Sequence, residues 1–293
     1  MDIKSLLARN KGNIALVIGN GINRYNAEWA NNSWDYLLQE ISKKHSLHNG
    51  EIPKGIALTE FFDLLELKLD KSYQNNNLKK DFCDLMSEWK PQIHHKKITE
   101  WATHNNSPIL TTNFDNSLAN AANCELKKPN KQFTDYYPWN SYYGLTNLDN
   151  PCTEFGIWHI NGMQRYKRSI RLGLRDYMLS VRRVQSWISN INPENLSDSN
   201  SWPGGNTWLH IVFNMPLLFF GLGLEENEVF FRWLLIERAR CFRNFPNRRS
   251  SAWYVYKDDD SRSGKLYFLK AVGVEPVKVE CFDDIYGSAT WQL

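Results

Sequence analysis

The sequence predicts an α/β fold, a Rossmann-like doubly wound parallel sheet with a helical insertion and no zinc module. Three observations predict it. Short apolar runs, "NIALVIG", "PILTTN" and "MPLLFFGLG", have the length of strands buried on both faces. Stretches with helical spacing separate them, as in "EWANNSWDYLLQEISKKH", where Trp34, Leu37, Leu38 and Ile41 recur on one side. The runs end in Gly, Asn, His or Asp, at the strand ends where open α/β sheets bind ligands.

Taken in order, residues 13–19 read as the first buried strand, and "NGINRYN" as the loop after it. The helix around Trp34 to Ile41 follows, then a Gly- and Pro-containing linker, "HNGEIPKG". From about residue 50 to 103 the chain is mostly helical before it returns to a strand at Pro108. A short helix is expected at about 115–123. The polar, Tyr-rich stretch "TDYYPWNSYYGLTN" fits a lid or a substrate wall equally well. "EFGIWHING" is a strand ending in a polar loop, and "RSIRLGLRDYMLSVRRVQSWI" begins as a short strand and becomes a helix. "MPLLFFGLG" is a buried strand, "EENEVFFRWLLIERARCF" an amphipathic helix and "SAWYVY" a last strand, followed by helix-end and strand signals in the tail. One domain over residues 1–293 accommodates all of this.

Composition narrows the function classes. A net charge of +3 is too weak to argue for nucleic-acid binding. No apolar run approaches the roughly 20 residues of a membrane span, and the first residues carry no signal-peptide core, so a cytoplasmic protein is expected. Cys83, Cys124, Cys152, Cys241 and Cys281 are scattered without a C-x-x-C pair, which argues against a disulfide framework and a Cys₄ zinc site. His94 and His95 are adjacent, a poor geometry for one ion, and no metal site is expected. Trp29, Trp34, Trp101, Trp158 and Trp233 fall in expected helices or strands, most of them core and a few suited to a partner surface.

The chemistry-bearing stretches are the loops. "ILTTNFD" delivers Asn113 and Asp115 to a strand end; the bland alternative makes Asn113 a turn residue and Asp115 a helix N-cap. "VIGNGIN" places Gly19 and Gly21 between strand and helix, where backbone amides can cradle a pyrophosphate, though the third glycine of G-x-G-x-x-G is missing. Arg168, Arg171 and Arg175 lie in a basic run that reads as a solvated face, as phosphate contacts or as a docking face for an acidic partner.

In order, "VIGNGIN", "ILTTNFD" and "IWHING", with "SIRLGLRDY" and "LLFFGLGLEENEVFFRWLLIERAR" after them, resemble the sirtuin family over about residues 13–245. The absence of paired cysteines, and Asn23 closing the Gly19–Asn20–Gly21–Ile22–Asn23 loop, depart from the protein-deacylating sirtuins, and both departures point the resemblance toward the zinc-free sirtuin-like proteins of bacterial anti-phage systems. The resemblance implies an NAD⁺ glycohydrolase that takes NAD⁺ as substrate, uses no zinc and depletes the dinucleotide. A chain nearly filled by this domain has no room for a sensor, so a separate regulatory subunit, a homo-oligomer or both are expected, with nucleic acid involved only through a partner and no membrane role.

Asn113 would then bond the ribose or the attacking water, and Asp115 would hold the ribose or its own loop. Gly19, Asn20, Gly21 and Asn23 would line the phosphates and ribose, with Gly221, Gly223 and Asn161 completing the nucleotide site. The family's catalytic histidine directly precedes the glycine, a position held here by Asn161. His159 stands two residues earlier, and positions i and i+2 of a strand share a face, so His159 is the candidate acid–base group. The alternative is a degenerate module that binds NAD⁺ or ADP-ribose and regulates a partner.

Overall fold

The computed structural model describes residues 2–27, 32–49, 51–69, 77–129, 137–189, 193–225, 228–257 and 263–292. Trp29 and the beginning of the Tyr-rich stretch lie outside these residues. In chain order the strands are β1 (Ala15–Ile18), β2 (Ile109–Thr111), β3 (Glu125–Lys127), β4 (Tyr142–Gly144), β5 (Ile157–His159), β6 (Leu217–Phe220), β7 (Ala252–Lys257) and β8 (Glu275–Val279). They form one sheet in the order β3-β4-β5-β2-β1-β6-β7-β8. The six strands from β5 to β8 in that order are parallel, while β3 and β4 pair antiparallel at one edge. Counted along the chain, the parallel strands run 3-2-1-4-5-6, an order compatible with a Rossmann-like fold.

The apolar runs explain the sheet. Val17 sits between Leu110 and Phe219, and Leu16 between Ile109 and Leu218. Alternate residues leave opposite faces. Ala15, Val17, Leu110 and Phe219 therefore enter one core, and Leu16, Ile18, Ile109 and Phe220 the other. Helices α1 (Ile3–Arg9), α6 (Ile93–His104), α7 (Ser117–Ala121) and α12 (Asp283–Tyr286) contribute to the second core. Helices α8 (Leu174–Ile188), α9 (Trp208–Asn214), α10 (Val229–Asn244) and α11 (Ser263–Ala271) contribute to the first.

The stretch between β1 and β2 holds α2 (Gly21–Arg24), α3 (Trp34–Lys44), α4 (Leu58–Lys68), α5 (Asn77–Leu85) and α6. Leu37, Leu38 and Ile41 of α3, Phe61, Phe62 and Leu65 of α4, and Leu78 and Phe82 of α5 make a third core. That core reaches the sheet through Phe114, whose ring meets Phe82 edge-on at 5.7 Å and Trp34 face-on at 5.9 Å.

Two local expectations are corrected. The Tyr-rich stretch is neither lid nor substrate wall where it is described. Tyr137, Trp139 and Tyr142 are core residues, with Trp139 stacked on Trp208 at 5.7 Å, and Tyr142–Gly144 is a strand between β3 and β5. The beginning of "RSIRLGLRDY" is no strand: a 3₁₀ segment covers Gln164–Ser169 and the chain runs extended into α8.

Candidate functional site

Because the six strands are parallel, the loops after β1, β2, β5 and β6 all emerge at one edge of the sheet. Between β1 and β6 the strand order reverses direction, and at such a point the loops on either side diverge and leave a crevice. A cavity of about 640 Å³ opens there. Asn20 and Gly21 reach it from β1, Thr112 to Asp115 from β2, Asn161 from β5, and Gly221 and Gly223 from β6. Trp34, Tyr25, Tyr254 and Tyr286 supply aromatic wall, and Arg24 and Lys257 supply positive charge.

The first two loops are tied together by buried amides and one carboxylate. Asn23 Nδ2 donates to Asp115 Oδ2 at 2.8 Å and to Asn20 Oδ1 at 3.0 Å. The other Asp115 oxygen accepts the Ser117 N–H at 2.9 Å, although the N-cap position of α7 is Asn116 and not Asp115 as the capping alternative had it. Asn23 Oδ1 accepts from His95 Nε2 at 3.0 Å. The tautomer follows from the far side of that ring: Gln92 N–H donates to His95 Nδ1 at 3.1 Å, so the proton sits on Nε2. Burial, and then the neighbouring His94 ring, push His95 down to about 4, so it stays neutral near pH 7. No local sequence signal reveals this chain, since its partners lie 72 and 92 residues apart.

Asn113 lines the cavity, is almost fully buried, and donates from Nδ2 to the Gly19 carbonyl at 3.3 Å. His159 lies elsewhere. It is fully buried, forms no part of the cavity wall, and meets Tyr143 edge-on at 5.7 Å. Its Nδ1–H donates to the Asn113 carbonyl at 2.8 Å, and its Nε2 has no partner. Burial lowers its pKa, with the Asn113 bond and the Asp115 charge opposing. The shared-face argument fails because β5 ends at His159 and the chain turns before Asn161. Asn161 does line the cavity, its Nδ2 3.4 Å from the Thr112 carbonyl and its own carbonyl accepting the Arg171 N–H at 2.8 Å.

The glycines have a physical reason other than the expected one. A Cβ on Gly19 would lie 2.4 Å from the Gly221 carbonyl oxygen, and one on Gly21 2.7 Å from Gly221 Cα. The β1 and β6 loops touch, and Gly21 N–H donates to the Gly221 carbonyl at 2.8 Å. The Gly19, Ile22 and Asn23 amides are also taken, by Phe220, Gly19 and Asn20 carbonyls. A phosphate cradle of free amides is therefore not what residues 21–23 form. Gly19 and Asn23 stand behind the wall rather than on it, and Gly221, at φ +71°, turns the β6 loop in the left-handed region.

Arg168, Arg171 and Arg175 stay off the wall. Arg168 and Arg175 are exposed, while Arg171 is buried with its guanidinium over the Tyr137 ring at 4.3 Å and 3.8 Å from Asp176. Among the wall residues that went unread as site groups in the sequence are Tyr177 of α8 and Glu228 at the start of α10. Among the described residues no group of three or more His, Cys, Asp and Glu side chains is placed to hold a metal, and no helix is long and apolar enough to cross a membrane. No protein-family model matches the sequence, and no curated protein matches it.

Proposed function

We propose that the chain binds NAD⁺ in this cavity and cleaves its nicotinamide–ribose bond. The observation that carries the reading is the convergence of Asn113, Asp115 and Asn161, from two strand ends, on one cavity at the reversal of strand order. The volume suits an extended small molecule, the aromatic wall suits its rings, and Arg24 and Lys257 suit its phosphates. Such cleavage passes through an oxocarbenium-like state. Nicotinamide leaves readily as a neutral ring, so the protein has to orient ribose and water and accept one proton. Asn113, fixed at both its side chain and its carbonyl, is placed for the orienting role; His159 acts on it from behind. The resemblance to zinc-free sirtuin-like proteins supports the finer reading of an NAD⁺-depleting effector in anti-phage defence, switched on through a partner or by oligomerisation.

One observation favours a second reading. The wall carries Asn161, which cannot transfer a proton near neutral pH, where the family carries histidine. A module that binds NAD⁺ or ADP-ribose and regulates a partner accounts for that residue without turnover. Incubation of the purified chain with NAD⁺, alone and with the product of the neighbouring gene, followed by chromatography, separates the two. Nicotinamide and ADP-ribose in equal amounts are expected; binding without product supports the second reading, and neither binding nor product contradicts both.

A further inference from the structure

If histidine is absent from the wall, a different group has to take the proton. Among the described residues the acids on the wall are Asp35, Asp115 and Glu228. Asp35 is exposed at the start of α3. Asp115 is engaged at both oxygens, by Asn23 and by the Ser117 amide, and serves the architecture of the loop. Glu228 is half-buried, and its carboxylate has no hydrogen bond or ion pair among the described residues. Its backbone is held, the N–H by the Glu225 carbonyl at 2.9 Å and the carbonyl by the Arg232 N–H at 3.0 Å. Phe230, two residues on, packs on Tyr177 at 6.5 Å, and Glu228 and Tyr177 line the same cavity.

We propose that Glu228 is the proton acceptor of this site, a role that rests on the NAD⁺-cleaving reading above. The C1′–N bond of the nicotinamide riboside breaks and its electron pair neutralises the pyridinium. A water oxygen bonds C1′, and the proton it sheds passes to the Glu228 carboxylate and then to solvent. The products are nicotinamide, ADP-ribose and one proton.

The surroundings of Glu228 suit the task. Desolvation, and then the Glu225 charge, lift it from the ordinary 4.5 to about 7. A base poised near the working pH combines availability with strength. Facing it, Tyr177 of α8 is held well above its usual range by burial and stays a hydrogen-bond donor. Glu225 is paired with Lys265 of α11 at 3.2 Å, and Tyr254 of β7 donates to the Leu222 and Gly223 carbonyls at 2.7 and 3.1 Å.

The test is NAD⁺ consumption by wild type, Glu228→Gln and Glu228→Asp from pH 5 to 9, with NAD⁺ affinity measured by calorimetry. Wild type should gain rate as pH rises through about 7 and then level off. Glu228→Gln should keep its affinity within a few fold, lose about 100-fold or more in kcat, and lose the rise with pH. Glu228→Asp, which keeps a carboxylate, should retain the rise with a smaller loss and carries the test should the glutamine variant misfold. A glutamine variant with wild-type rate and pH profile overturns the role of Glu228 alone, as does an aspartate variant without the rise. A wild type that leaves NAD⁺ uncleaved at every pH, both alone and with the product of the neighbouring gene, overturns the enzymatic reading and the role of Glu228 with it.

Discussion

The two walls of the cavity are built by opposite rules. On and behind the wall made by the β1 and β2 loops, Asp115 at the surface and Asn23 and His95 beneath it answer one another's hydrogen-bonding groups. On the wall made by the α8 and α10 starts, the Glu228 carboxylate faces the cavity without a partner among the described residues. A buried polar network in which every member is satisfied holds shape, because each lost bond leaves an orphan in a low-dielectric setting. An unpartnered carboxylate holds no shape but titrates and can exchange a proton. The first wall therefore explains geometry, and the second carries the proposed proton acceptor.

Breaking the orienting contact should show the largest effect. Asn113→Ala removes a side chain that packs no core and should lower NAD⁺ turnover by about two to three orders of magnitude, the loss typical of one well-placed polar stabiliser, while the circular dichroism spectrum is kept. Unchanged turnover would remove Asn113 from the reaction. Asp115→Ala should act on stability first. It leaves one N–H of the Asn23 amide and the Ser117 N–H without an acceptor, each worth about 1–3 kcal/mol when buried and unpaired, and a chemical denaturation midpoint should fall accordingly.

His159 sharpens the contrast between a residue on the wall and one behind it. His159→Gln should slow turnover by about tenfold, by loosening one hydrogen bond to the Asn113 carbonyl, a change of the order of a kilocalorie. The pH profile should keep its shape, since a buried histidine below its usual range does not titrate at the working pH. A profile that loses its rise in this variant would make His159 the proton acceptor instead.

The smallest effect is in the pH dependence of folding. The folded pKa of His95 is depressed from 6.5 to about 4, so the penalty of charging it is absent above 6.5 and grows as pH falls towards 4. Glu228, raised from 4.5 to about 7, works the other way: its contribution is present below 4.5 and lost as pH rises through 7. In thermal melts, His95→Gln should flatten the fall between pH 6.5 and 4, and Glu228→Gln should raise the melting temperature at pH 8 more than at pH 5. Parallel curves for variant and wild type would contradict these assignments.

The legible part of the fold is the part with a local pattern. β1, β2, β5, β6 and β7 are strands whose apolar runs are buried on both faces, and α4 carries its helical spacing openly. β3 and β4 escaped because three-residue strands carry no run long enough to register. α9 escaped because Trp208 to Phe213 are buried all round, which erases the helical period. The site divides in the same way. Asn113, Asp115 and Asn161 could be found because strand ends mark the carboxyl edge of the sheet. His95 and Glu228 could not, because each gains its meaning from partners or walls brought together only by the fold. His159 misled because a period of two applies only while the strand continues, and β5 stops at that residue.

The central claim is that the cavity between the β1 and β6 loops is an NAD⁺ site with Asn113 at its working end. Calorimetric titration of NAD⁺ into wild type and Asn113→Ala addresses it directly. The expected result is saturable binding of one NAD⁺ per wild-type chain, weakened in the variant by a few fold to tenfold, as one lost hydrogen bond requires. A wild type that gives no saturable heat, or a variant that binds as tightly as wild type, would contradict it.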